Sequence, residues 1–307
     1  MLGAAVRTGA LTVLLCVSAG FALAQEEAEV AASPPEAEAT AEPNAMSDRD
    51  RLWANFSREA AVLGNNRFWV EFRGMKMYTG NDPTLGLNGY SVRSSLTRKK
   101  CPNNPPDTAC IDNIEGGRFD LIGAYGIGKT AEVGIDIPVV QQQIEFTDGS
   151  FQDNASIGDL LLYGKFKREL DEHWAGAVGL EMSIPTASVT NLMGSGDLGL
   201  NPFLSTRYQS GRVGVGGHLG FLFNTGSQPQ VFNWSVSFLA RANRLLALRT
   251  EVNGRLFNQY GTNNDIAIWP GFDYNLTDYF LIRPQGLVHA TDDAVNWGIG
   301  LGLAVTM

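Results

Sequence analysis

The residues in this sequence that could do chemistry are charged, and they recur in steps of two. Arg249, Glu251, Asn253 and Arg255 follow one another at i+2, the period that places side chains on one face of a β-strand. By the same alternation Lys165, Lys167, Glu181, Arg207 and Arg283 fall on the less apolar face of their own stretches. So do Arg118, Asp120, Glu132, Asp136, Asp197, Arg241 and Asp273. Facing inward in a narrow, partly dehydrated interior, these groups must be paired or must border a water-filled path, because an unpaired buried charge is costly. Two readings stay open. In one, the charges pair across the interior and brace it. In the other, they form a basic ladder that sorts anions. Arg249 and Glu251 are expected to meet as same-strand neighbours, with Arg207 approaching from elsewhere in the wall. The arginine surplus in this stretch predicts a weak preference for anions.

Enzymatic chemistry has little to stand on. The three histidines, His173, His218 and His289, sit in no ligand-spaced cluster and no nucleophile motif. No serine and histidine share a strand face, so no catalytic residue, metal site or cofactor is expected. Cys101 and Cys110 flank Pro102, Pro105 and Pro106 in a polar stretch. In an exported chain they are expected to form a disulfide that pins a loop.

The elements that position these residues are strands. Val295–Met307 alternates strictly, with Trp297, Ile299, Leu301, Leu303 and Val305 on one face and Gly298, Gly300, Gly302 and Ala304 on the other. Such a strand, about 43 Å long at roughly 3.3 Å per residue, is longer than a globular fold needs. Tilted, it crosses the apolar band of an outer membrane. Ten further stretches alternate in the same way: 116–127, 131–140, 157–168, 174–184, 196–208, 211–224, 231–241, 245–257, 265–274 and 278–289. Their connections alternate between short and long, as in outer-membrane barrels with short periplasmic turns and longer outer loops. An even count needs one more strand, for which 67–78 and 85–96 compete. The expected fold is an all-β, antiparallel, up-and-down transmembrane barrel of about twelve strands over residues 65–307.

The N-terminal part reads differently. Arg7, an apolar run from Ala10 and the Ala22-Leu23-Ala24 site form a secretory signal peptide over 1–24. Residues 25–47 hold six glutamates and three prolines with no Lys or Arg, a composition expected to be a disordered acidic leader. Residues 48–64 carry Leu52, Phe56, Ala60 and Leu63 on one helical face; the expectation is a short helix against the periplasmic rim, with a plug in the lumen as the alternative. A net charge of −9 without a basic patch excludes nucleic acid as a partner.

Gly158-Asp159-Leu160-Leu161-Leu162-Tyr163-Gly164-Lys165, followed by Ile184-Pro185-Thr186 and Gly194-Ser195-Gly196-Asp197, resembles the outer-membrane transporter family of the phenol meta-degradation pathway. The resemblance covers roughly residues 116–307. It implies a twelve-stranded barrel that moves small compounds, aromatic or hydrophobic ones among them, and no catalytic residues. One departure is the C-terminal Met307, where barrels usually present an aromatic residue to the assembly machinery. The expected function is a channel or facilitator for a small-molecule solute, with a closed structural barrel as the alternative. Expected partners are the lipid bilayer of the bacterial outer membrane, that solute and the outer-membrane assembly machinery.

Overall fold

The computed structural model describes residues 60–64, 66–79, 111–187, 194–226, 228–257, 264–290 and 295–307. The expected signal peptide and acidic leader, residues 48–59 of the expected helix, the stretch 85–96 and both Cys101 and Cys110 lie outside them. The chain divides into two units, Met1–Ala45 and Met46–Met307; all described residues belong to the second.

That unit is a closed β-barrel. Its segments are β1 (Phe68–Thr79), β2 (Ile111–Ile127), β3 (Ala131–Phe146), β4 (Phe151–Ile157), β5 (Leu160–Glu169), β6 (Trp174–Ile184) and β7 (Gly199–Ser210), then β8 (Val213–Asn224), β9 (Val231–Arg241), β10 (Leu246–Phe257), β11 (Asp265–Asn275), β12 (Phe280–His289) and β13 (Val295–Thr306). Each is antiparallel to its neighbours, and β1 closes the wall by pairing with both β2 and β13. Val139–Glu145 of β3 pairs with β4, whereas Ala131–Asp136 pairs with β5. β4 and β5 therefore share one place in the wall, and the thirteen segments make twelve strands. The break between them falls opposite Pro138, which has no N–H to continue the ladder. There the Gly158 amide donates to the Pro138 carbonyl at 2.7 Å.

The outward face is a lipid-facing belt. Phe72, Phe119, Phe166 and Ile299 are each at least 60% exposed, and exposed apolar surface of that extent belongs in a bilayer. Aromatic pairs mark both edges. Phe68–Tyr125 and Trp174–Tyr208 lie at the short-turn edge, with Tyr78–Trp297 and Phe221–Phe223 at the other. Such girdles sit at the two membrane interfaces. Among the described residues there is no helix, and none is long and apolar enough to cross a membrane.

One open choice is settled and two expectations are corrected. The first strand is β1, so 67–78 is the segment that closes the barrel. Its apolar pattern slips at Gly74 because the Phe119 ring of β2 covers that glycine; a Cβ there would lie 3.0 Å from Phe119 Cε1. Second, residues 141–156 are not a long loop. β3 runs on to Phe146 and β4 starts at Phe151, and β2 begins at Ile111 rather than Gly116. With exposed Gln141 and Gln143 on their outer face, these rungs extend the ladder beyond the apolar belt, leaving a turn at 147–150. In that turn Asp148 accepts from the Ser150 hydroxyl and amide, which holds its carboxyl below the usual range.

Third, residues 60–64 are neither helical nor at the rim. Ala60, Ala61, Val62 and Leu63 are all buried. Ala60 packs on Ala175 and Ala177 of β6, Ala61 on Leu239 and Ala247, and Leu63 on Trp69, Ala124, Tyr163, Leu281 and Ala304. Those partners come from many sides of the inner wall near the short turns. The segment therefore crosses the barrel interior at its periplasmic end. It passes so close to β2 that a Cβ on Gly126 would stand 2.6 Å from the Gly64 nitrogen, which only glycine tolerates.

Candidate functional site: the lumen

Inward-facing charges are set by strand parity, and the wall brings them into separate groups along the barrel. Lowest is Glu132 of β3. Its carboxylate accepts from the Leu63 amide at 2.8 Å and the Tyr163 hydroxyl at 2.9 Å, and it pairs with Lys165 at 3.1 Å. Nearby Glu169 bridges Lys167 at 2.7 Å and the fully buried Arg207 at 3.4 Å. With the Ala60–Gly64 segment this layer fills the periplasmic end.

Above it runs a continuous chain of ion pairs. Glu71 accepts from Arg73 at 3.0 Å and meets Arg283 at 3.4 Å. Arg283 reaches Asp273 at 2.8 Å, and Asp273 also holds Arg249 at 3.4 Å. Room for the Glu71–Arg283 contact comes from the inner glycine stripe of β13: a Cβ on Gly302 would lie 2.8 Å from Glu71 Oε1. Arg118 bridges Asp120 at 2.6 Å and Asp136 at 3.6 Å. Toward the outer end Asp265 accepts from Arg255 Nε at 3.0 Å and is bonded to His289 Nδ1 at 2.5 Å. Taking such charges out of water is tolerable only because the pairs are closed and hydrogen-bonded.

A cavity of about 410 Å³ occupies the lumen above the periplasmic layer. Arg73, Arg118, Arg249, Arg255 and Arg283 border it, whereas Lys165, Lys167, Arg207 and Glu132 do not. One wall is apolar: Met75, Met77, Ala267, Trp269 and Leu287 line it, and the first three and Leu287 belong to one buried cluster with Ile114 and Ile144. Another is polar. His218 is bonded to Asn233 at 3.0 Å, Asn233 donates to Asn201 at 3.1 Å, and Asn201 donates to Glu181 at 3.4 Å.

Several sequence expectations meet this geometry differently. Arg249 engages Asp273 across the β10–β11 seam rather than Glu251 along its own strand. Arg207 lies in the periplasmic layer with Glu169, away from Arg249 and Arg255. The arginines that border the cavity are held by carboxylates, so they do not form an open basic ladder. Glu71, Arg73 and Asp265 were missing from the sequence-derived set of inward charges. The first two alternate with Trp69 and Met75 on one face, a signal that the interruption at Gly74 obscured. Among the described residues no group of three or more His, Cys, Asp or Glu could hold a metal ion.

Of the motif residues quoted for the family resemblance, Tyr163 and Lys165 lie in the periplasmic layer, whereas Gly158, Asp159, Thr186 and Ser195 meet at the outer rim. Asp159 accepts from the Ser195 amide at 2.6 Å, the Ser195 hydroxyl at 2.7 Å and the Ala187 amide at 3.2 Å. Thr186 donates to the Gly158 carbonyl at 2.7 Å and accepts from the Leu160 amide at 3.1 Å. These bonds, made by the Asp159 carboxylate and the Thr186 hydroxyl, seal the break between β4 and β5.

No protein-family model matches the chain, and no curated protein matches it in sequence. Solved structures are similar in fold. An outer-membrane channel from Pseudomonas putida F1 superposes with a TM-score of 0.60 at 11% identity, over 82% of this chain and 99% of that one. The NanC porin gives a TM-score of 0.51 at 8% identity, over 77% and 98%. In fold, this chain is a twelve-stranded antiparallel barrel of the outer-membrane type.

Proposed function

We propose that this protein is an outer-membrane channel for small solutes, exported through the signal peptide at 1–24 and inserted by the outer-membrane assembly machinery. The observation that carries the reading is the cavity of about 410 Å³ inside a closed wall. A barrel with a purely structural role would pack its interior to the density of an ordinary core, whereas this volume lies in the range that holds a small ligand, about 300–1,000 Å³. The size argues for one small molecule at a time rather than bulk diffusion. Its apolar wall suits an aromatic or hydrophobic body, which agrees with the family that the motif residues resemble. A catalytic role has no support in the arrangement of the lumen residues.

Reconstitution into planar bilayers and liposomes tests this. The expected outcome is small, discrete conductance steps and uptake of low-mass solutes. A correctly folded protein, shown by faster migration unheated than boiled, that neither conducts nor admits any solute would return the reading to the closed structural barrel.

A further inference from the structure

The charge pattern around the cavity is lopsided in a way that the pairing makes visible. Arg73, Arg118, Arg249, Arg255 and Arg283 each lie against a carboxylate of the wall. Glu251 and Glu181 also border the cavity, and among the described residues neither has a cationic partner. Glu181 only accepts from Asn201. An anion entering here would have to displace a wall carboxylate from its arginine while approaching two further carboxylates. A cation meets those two first. Inside low-dielectric walls such an imbalance is focused rather than screened.

The surroundings of Glu251 add a second, independent element. Glu251 stands directly opposite Trp269 across the β10–β11 seam, so the two side chains are same-face neighbours on the inner wall. Trp269 packs against the apolar cluster that contains Met77, Ala267 and Leu287. A carboxylate beside an indole, continuous with an apolar wall, is a combination that recognises an organic ammonium ion. The carboxylate takes the charge, the ring adds cation–π attraction, and the wall covers the apolar body.

We propose that the cavity is selective for cations and takes a small organic ammonium ion, with its charge at Glu251 and its apolar part on the Trp269 wall. The proposal rests on the channel reading only in requiring that the cavity be reached from solution. It reverses the anion preference expected from the arginine-rich β10 stretch.

The test compares benzylammonium with benzoate, two ions sharing one ring, by titration calorimetry on the full, detergent-folded protein. Benzylammonium is expected to bind and benzoate not to. Glu251→Gln is expected to weaken benzylammonium at least about ten-fold, the loss of one charge-assisted contact. Glu181→Gln, on the polar wall, gives a smaller loss and serves if Glu251→Gln does not fold. In bilayers the wild type is expected to pass K⁺ over Cl⁻, and the double substitution to bring the two permeabilities together. Equal binding of benzoate, an anion-preferring pore, or binding and selectivity untouched by both substitutions would overturn the proposal. Benzylammonium binding in a protein that stays silent in bilayers removes the channel reading and keeps this one.

Discussion

The two ends of the lumen solve the problem of inward-facing charge in opposite ways. At the periplasmic end the carboxylates are taken up. Glu132 is divided among Lys165, Tyr163 and the Leu63 amide, Glu169 takes Lys167 and Arg207, and alanines pack against Ala60 and Ala61. Toward the outer end the arginines are likewise consumed, yet space remains, and Glu181 and Glu251 are left facing it. Similar residue types thus build a seal in one place and a chamber in another. What differs, among the described residues, is whether a stretch of chain enters to fill the volume.

The largest expected effect comes from breaking the ion-pair chain that separates the two regions. Asp273 is buried and holds both Arg283 and Arg249. Asp273→Ala should destabilise the barrel by about 3–5 kcal/mol, since it strands buried guanidinium groups. Denaturant unfolding in detergent checks this; a shift under about 1 kcal/mol would mean that water already reaches the site.

Removing the seal is the next test. A chain lacking residues 25–64 should keep the barrel, because β1 begins at Phe68 and closes on β13, and should conduct several-fold more than the full protein. Unchanged conductance would place the limiting constriction elsewhere, at the ion-pair chain. The smallest effect is expected at Lys76–Glu115, a 2.6 Å pair whose side chains are 61% and 44% exposed. Lys76→Ala should change stability by no more than about 1 kcal/mol and leave conductance as it was, which makes it a useful baseline for the other two.

Much of this architecture was legible because lipid and lumen impose opposite demands on alternate residues. β6 and β9 run over the very residues that alternation marks, 174–184 and 231–241. Strand ends at the outer edge were not legible. Gln141, Gln142 and Gln143 read as loop, yet they are rungs of β3, because beyond the apolar belt the outer face no longer needs apolar side chains. Partners across the wall were also beyond reach. Arg283 and Glu71 are 212 residues apart, and only the closing of β1 on β13 brings them together. Whether residues 60–64 sit at the rim or enter the lumen stayed open in the sequence for a related reason: their alanines fit a helix face as well as a packed interior.

The same closure has a kinetic consequence. Trp69 pairs with Thr306, so the seam that completes the wall joins nearly the first and the last residues of the barrel. Ordering a loop of that length costs about 5 kcal/mol in chain entropy from its logarithmic dependence alone. No rung of that seam can form before the final strand is present, which makes this a fold of high contact order and slow spontaneous assembly. Until then β1 and β13 are open edges with apolar outer faces, each a template for mispairing. A helper that holds one edge while the other arrives would act on the slowest step, and the seam between residues 69–79 and 295–306 is where its help should be felt.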